Sequence, residues 1–329
     1  MILVTGGAGY IGSHCVLELL KNNYDVLVFD NFSTGHPETL EKLNVPYVKG
    51  DLQNFEEINS VFKNNKIDAV IHFAAFSLVG ESVHNPRKYY MNNVYGTLNL
   101  LNAMTDNDVK KIVFSSTAAT YGEPKYIPID EKHPQEPINP YGQSKLMVEK
   151  IMDDYNRAYG LKSVRLRYFN VAGADSQARI GEWHNIETHL IPNILKSTFD
   201  NGKTFEMYGT DYNTKDGTCV RDYINIEDLA KAHILALEYL NNGGETNFFN
   251  LGTKEGNSVR EVFSTCEDVT NQKIQVNEMP RRDGDPASLV ADNKKAKEVL
   301  GWTPEKTLKD SVKSAYIWEQ KLQNEILHK

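Results

Sequence analysis

One short segment limits the folds open to this chain more than any other. Residues 2–12 read ILVTGGAGYIG: an apolar, β-branched run, a turn with Gly6, Gly9 and Gly12 three apart, then an amphipathic stretch, Tyr10–Lys21. Glycine tolerates the tight turn, and the bare backbone lets N–H groups approach a pyrophosphate at the positive end of the helix. A purely structural turn would need neither the strand before it nor the helix behind it. The next apolar run, Val26–Asp30, ends in a carboxylate eighteen residues beyond Gly12. There it would accept hydrogen bonds from a ribose 2′-hydroxyl and repel a 2′-phosphate, so the reading is NAD rather than NADP.

The rest of the first half repeats this alternation. Tyr47–Gly50, Asp68–Phe73, Lys111–Ser115 and Ser163–Tyr168 read as further strands, with helical patterns near Glu56–Asn64, Tyr89–Met104 and Tyr141–Tyr159. Runs too apolar to be half exposed, most followed by a crossover of helical length, predict an α/β fold. Its centre is a Rossmann-type doubly wound parallel sheet covered on both faces. Ligands in such sheets bind at the carboxyl ends of the strands. After about Ala172 the pattern loosens, with helices expected near Leu190–Asp200, Ile226–Asn241, Ser258–Thr270 and Lys309–Leu322. We expect two domains, 1–172 for the dinucleotide and a smaller α/β domain, 173–329, for the substrate. No linker, repeat or charge block marks the boundary, which leaves the chain room to cross back near 219–250.

Charge narrows the partners. Lys and Arg number 36 against 44 Asp and Glu, a net charge of −8. That balance speaks against nucleic acid and membrane surfaces, which call for clustered positive charge. An anionic small molecule needs only one or two well-placed arginines. The three scattered cysteines, Cys15, Cys219 and Cys266, suit neither a disulfide framework nor a zinc site, and no metal is expected. They fit a reducing cytoplasm. With strand-like ILVTGG directly after Met1 and no 18-residue apolar run, a leader or membrane span is not expected.

The chemistry-bearing pair is Tyr141 and Lys145, four apart on a helical pattern opened by Pro140, hence on one face. A free phenol ionises near pH 10 and is a poor base at neutrality. An ammonium one turn away, with a positive nicotinamide ring, would favour the phenolate. Such a pair occurs by chance on many surfaces, so context decides. The hydroxyl-rich strand end Ser115-Ser116-Thr117 stops 24 residues before Tyr141. Thr117 could hydrogen-bond the oxygen that gives Tyr141 its proton.

With TGGAGYIG, the Ser-Ser-Thr strand end and YGQSK together, the chain resembles the extended short-chain dehydrogenase/reductases acting on nucleotide sugars. The likeness runs from Met1 to about Trp318 and is strongest to their UDP-hexose C4-epimerase branch. Matching segments are DNFSTG at Asp30–Gly35, GDL at Gly50–Leu52, HFAA at His72–Ala75, VGESV at Val79–Val83 and NNVYGTLNLL from Asn92. PYGQSKLMVE at Pro140–Glu149, RYFNVAGA at Arg167–Ala174, DYNTKDGTCVRDYI at Asp211–Ile224 and PRRDGDPASLVAD at Pro280–Asp292 continue it.

The resemblance implies tightly bound NAD, a UDP-sugar substrate and a homodimer. It puts Tyr10 and Ile11 under the pyrophosphate, and Asp30, Asn31, Ser33 and Thr34 around the adenosine ribose. Asp51 and Leu52 fall beside the adenine, with Phe73, Ala74 and Ala75 after the next strand. Asn92, Ser115, Lys145 and Phe169 lie toward the nicotinamide. Asn170, Arg221 and Arg282 would meet the substrate diphosphate, where guanidinium pairs suit phosphate oxygens; His189, Leu190, Tyr208 and Asp285 would hold the uridine. A plainer reading of Arg221-Asp222 is an internal ion pair. Many relatives carry Ser where Thr117 stands, and some have lysine at Ser77, so that one phosphate contact is in doubt. The position of Leu289 borders the C2 substituent in the resembled family. A bulky aromatic there goes with exclusion of N-acetyl groups, so leucine implies that UDP-N-acetylglucosamine is also accepted.

The implied reaction is reversible inversion at C4. Tyr141 takes the proton of the 4-hydroxyl, the C4 hydride passes to NAD, and the 4-keto sugar turns before the hydride returns. Rival readings are a 4-epimerase for xylose/arabinose or uronate UDP-sugars, a 4,6-dehydratase and an NAD-sensing regulator. A dehydratase would carry Asp-Glu where Ala118 and Ala119 stand. A regulator would need neither Tyr141/Lys145 nor the sugar-side arginines.

Overall fold

A computed structural model of the protein describes residues 1–199, 204–282 and 285–326. Every residue of the first strand, β1 (Ile2–Thr5), is buried, and its side chains feed two cores. Ile2 and Val4 join Val16, Leu19 and Leu229 on one face of the sheet, whereas Leu3 joins Leu100, Phe114 and Met152 on the other. The period of two in a strand makes that division. Burial on both faces explains the unbroken apolar run in the sequence.

The remaining first-half strands are β2 (Val26–Asp30), β3 (Tyr47–Lys49), β4 (Ala69–His72), β5 (Lys111–Thr117) and β6 (Lys162–Tyr168). The short β7 (Asn170–Ala172), β8 (Phe205–Tyr208), β9 (Val220–Asn225), β10 (Asn247–Leu251), β11 (Gly256–Ser258), β12 (Val276–Met279) and β13 (Ser288–Leu289) follow. Seven strands form one parallel sheet in the order β10-β6-β5-β4-β1-β2-β3. The winding reverses between β1 and β4, so the loops after these two strands face one crevice. Helices Tyr10–Lys21 and Ile226–Asn241 cover one face; Phe55–Asn64, Thr97–Asp106 and Pro140–Tyr159 cover the other.

The expected helix Tyr89–Met104 is a composite. A short helix, Pro86–Tyr89, passes into a wide π-type segment, Tyr90–Gly96, before the regular helix Thr97–Asp106. Such widened turns re-aim side chains, often at functional sites. Here the segment carries Asn93, whose amide takes the Phe76 N–H at 2.9 Å and donates to Phe76 O at 2.9 Å and Ser144 Oγ at 3.1 Å.

The second half contributes to both layers. Its β10 closes the edge of the large sheet beside β6. Around β9 a small sheet gathers β7 and β13, both parallel to it, and antiparallel β11. A third core lies among helices Leu190–Lys196, Val259–Thr270 and Leu308–Lys321. The expected helix Leu190–Asp200 ends as a helix at Lys196, and Asp200 falls outside the described residues. Among the described residues, no helix is long and apolar enough to cross a membrane.

Candidate active site

The glycine turn is built by close approach. Gly6 sits at φ +74°, and a Cβ there would lie 2.5 Å from the backbone N of Ala74, after β4. One at Gly12 would lie 2.2 Å from the Gly6 carbonyl oxygen. Gly9 differs: its nearest neighbour would be 3.5 Å away, and it caps the helix without a side-chain bond. The helix therefore opens with bare N–H groups at the crevice, the form an anionic phosphate requires. Tyr10 is anchored by its hydroxyl, which donates to Gly173 O at 2.6 Å.

Asp30 ends β2 with its carboxylate buried and held by the N–H groups of Ala8 (2.9 Å) and Phe32 (2.8 Å). Burial lifts its pKa, and those two bonds oppose the rise. Asn31 bridges to Asp51 at 3.1 Å, and its own oxygen takes the N–H of Ser33. Behind the crevice His72 is clasped by Thr5 (2.6 Å) and Thr97 (2.8 Å) and is held neutral, its pKa lowered by burial to about 3.

Helix Pro140–Tyr159 presents Tyr141, Lys145 and Glu149 in a column one turn apart. Asn139 caps it by accepting the Gly142 N–H at 2.9 Å, and proline occupies the first turn. The Lys145 ammonium donates to Ser115 O at 2.8 Å and lies 4.8 Å from the Phe114 ring centre. Burial lowers its pKa to about 7, while Glu149 pulls it back up. Glu149 is clamped by Arg167, whose Nε donates at 2.9 Å and Nη2 at 2.5 Å, and by the Ser116 hydroxyl at 2.5 Å. Arg167 reaches on to Tyr121 at 2.9 Å, and Tyr121 donates to Asn250 at 2.6 Å.

Burial raises the Tyr141 pKa, and a hydrogen bond from Thr117 lowers it. The lysine is bonded to the Ser115 carbonyl, with its pKa brought down by burial.

On the other side of the crevice Arg221 is fixed by Val220 O (2.9 Å), Pro286 O (2.8 Å) and Asp285 (3.2 Å). The alternative pairing with Asp222 does not form. Strand alternation turns Asp222 to the opposite face, where its carboxylate takes the N–H groups of Thr253, Lys254 and Ala291. Arg282 lies 4.2 Å over the Tyr208 ring.

One cleft of about 450 Å³ brings these parts together. It is lined by Gly6, Gly9, Tyr10, Ile11, Gly12, Asp30, Asn31, Ser33, Thr34, Asp51 and Leu52, then by Phe73, Ala74, Ala75, Asn92, Ser115, Thr117, Tyr141 and Lys145. Phe169, Asn170, His189, Arg221, Asp285 and Leu289 complete that wall. Leu190, Tyr208 and Arg282 line an adjoining pocket that shares Asn170, His189, Arg221 and Asp285. Ser77 also faces the main cleft. Sequence reasoning passed over Asn93, Glu149 and Arg167, although the step of four from Lys145 to Glu149 continues the Tyr141 spacing. It also passed over Glu182 and His184 on the cleft wall and Glu187 behind them, which belong to a doubled Glu-x-His pattern ending at His189.

Sheet order, glycine turn and Tyr–Lys column define an extended short-chain dehydrogenase/reductase. Residues 3–315 match the family model described as GDP-mannose 4,6 dehydratase. The UDP-glucose 4-epimerase of Halalkalibacterium halodurans is 51% identical over 320 residues, covering 97% of this chain and 95% of that protein. A crystal structure of a UDP-glucose 4-epimerase superposes with a TM-score of 0.95 at 48% identity, over 98% of both chains. That of Bifidobacterium longum, in complex with NAD+ and UDP, gives 0.94 at 42% identity over 98% of this chain and 99% of that one. The chain belongs to the UDP-glucose 4-epimerase family of that superfamily.

Proposed function

We propose that this protein is an NAD-dependent UDP-glucose 4-epimerase, interconverting UDP-glucose and UDP-galactose without net redox change. The observation that carries this is the single cleft in which the glycine cradle and the arginine side meet at Tyr141 and Thr117. The residues fit the cofactor: Gly6 and Gly12 leave the space a Cβ would fill, Gly9 bares the helix end, and Asp30 excludes a 2′-phosphate. Bound NAD supplies a reversible acceptor for the hydrogen at C4.

The chain's own residues do the rest. Tyr141 Oη takes the proton of the sugar 4-hydroxyl and gives it back after inversion, and Thr117 Oγ1 orients the same oxygen. Lys145 is held by Ser115 O at the nicotinamide end, with Glu149 behind it. Arg221 and Arg282 take the diphosphate, and His189, Leu190, Tyr208 and Asp285 the uridine. Binding on UDP leaves the hexose free to turn. Residues 1–172 serve the dinucleotide and 173–329 the sugar nucleotide. Ala118 and Ala119 line the sugar end, where a dehydratase would need an acid and a base, which argues against that rival.

The same reading makes the enzyme cytoplasmic, a homodimer and part of galactose metabolism. Three free, buried cysteines support a reducing compartment. Exposed Met91, Tyr95 and Met147 on helical segments 86–106 and 140–159 support pairing with a second copy. The test is product identification from a panel of UDP-sugars, including UDP-N-acetylglucosamine because Leu289 lines the cleft. Conversion of UDP-galactose to UDP-glucose without accumulated NADH is expected. Failure to convert it, with turnover of a different UDP-sugar, would overturn the substrate assignment.

A further inference from the structure

The segment 182–189 repeats Glu-x-His after five residues: Glu182-Trp183-His184, then Glu187-Thr188-His189. It crosses from the end of the NAD half to the helix Leu190–Lys196, and folds so that both pairs converge. The Nδ1 atom of His184 lies 3.3 Å from Glu182 and 3.5 Å from Glu187. That of His189 lies 2.7 Å from Glu182 and 3.0 Å from Glu187. One atom from each of the four residues falls within 4.8 Å of all the others.

Zinc holds imidazole nitrogen and carboxylate oxygen at about 2.0–2.2 Å, which gives a tetrahedron with edges of roughly 3.3–3.6 Å. The two distances to His184, 3.3 and 3.5 Å, match that size, and the two to His189, 2.7 and 3.0 Å, are shorter, at hydrogen-bond length. Two buried atoms at the centre, His184 Nδ1 and Glu187 Oε2, make no hydrogen bond, although they lie 3.5 Å apart and Lys196 Nζ is 3.9 Å from Glu187 Oε2. The Glu187 side chain is only 5% exposed, so its carboxylate is not simply solvated. Its other oxygen is already used by the N–H groups of Thr188 and His189, which aims Oε2 inward.

The segment is anchored before any ion arrives. Trp318 Nε1 donates to Glu182 O at 2.8 Å, and Trp183 stacks on His36 with ring centres 3.7 Å apart. The Tyr10 ring meets His184 edge-on at 6.4 Å. Two imidazoles, once an incoming ion displaces their protons, and two carboxylates match a divalent ion of borderline softness, and four protein ligands leave no open position for chemistry.

We propose that Glu182, His184, Glu187 and His189 bind one divalent cation of the zinc class as a structural clamp on the wall of the cleft. This departs from the sequence expectation of no metal, which weighed only the cysteines. The clamp would fix the strap bearing His189 against the turn bearing Tyr10.

The test is titration of the chelator-treated holoenzyme with cobalt(II), read by visible absorption, and metal analysis of untreated protein. The expected result is saturation at one cobalt per chain with the bands of a tetrahedral ion. Zinc should abolish those bands and raise the melting temperature. His184→Gln and Glu187→Gln should each weaken cobalt binding at least tenfold. Wild-type protein that shows no saturable tetrahedral signal overturns the proposal, leaving the cluster as imidazolium–carboxylate pairs. So does unchanged affinity in both variants, which would place the ion elsewhere. The wild-type titration decides the matter even if a variant fails to fold.

Discussion

Two charged clusters face the same cleft on different supports. The Tyr141–Lys145–Glu149 column stands on a capped helix and is braced by two neighbouring strands, with Glu149 taking bonds from Arg167 and Ser116. The Glu182–His189 strap stands on a connection and leaves two buried atoms without a hydrogen bond. The first network is closed from within the protein. The second offers donor atoms that an outside ion can complete. A group that must move a proton at one point gains from the closed arrangement, since its rotamer is locked by packing. A wall that admits a large sugar nucleotide gains from adjustable loops.

The contrast can be broken most sharply at the column. Tyr141→Phe should lower kcat by about 10²–10⁴-fold, the usual contribution of a positioned acid–base group, with bound NAD unchanged by absorbance. Next, Glu149→Ala should cost about 3–5 kcal/mol in chemical denaturation, because Arg167 is left buried and unpaired. A loss within experimental error would mean that the column is not closed as described. On the arginine wall, Arg221→Lys should raise the KM for UDP-sugars by about 10–100-fold, matching a lost charged hydrogen bond of about 1.5–3 kcal/mol, with kcat little altered. Asn139→Ala should cost about 1 kcal/mol by removing the helix cap.

A further effect is one of pH. Lys145 titrates near 7 in the folded chain, below its ordinary value of about 10.4. The unfolded chain therefore binds the extra proton between those values, and stability should rise with pH across that window. The difference in unfolding free energy between wild type and Lys145→Met, measured on dinucleotide-free protein, should grow from about pH 7 toward pH 10. A flat difference would contradict the assigned burial.

The column and the cradle were legible because each is written in consecutive residues. Strands Ile2–Thr5 and Val26–Asp30 and helices Tyr10–Lys21 and Ile226–Asn241 fall at the expected bounds, since burial on one or both faces forces an apolar period. The short second-half strands gave no such signal. Val220–Asn225 carries the adjacent charges Arg221 and Asp222 and ends in Asn225, and Asn247–Leu251 carries two asparagines. The widened turn at Tyr90–Gly96 was hidden because the partners its Asn93 meets, Phe76 and Ser144, lie elsewhere in the chain. Arg221 found its partner at Asp285, 64 residues away, rather than next door. The doubled Glu-x-His stands in consecutive residues, but spacing alone does not tell a ligand set from solvated loop charges.

The central claim is that C4 inversion occurs inside one cleft, with Tyr141 moving the proton and the hydrogen on carbon never reaching solvent. UDP-galactose carrying deuterium at C4, converted in ordinary water, tests it directly. The account expects UDP-glucose that retains deuterium at C4. Product carrying ordinary hydrogen at that carbon would contradict it.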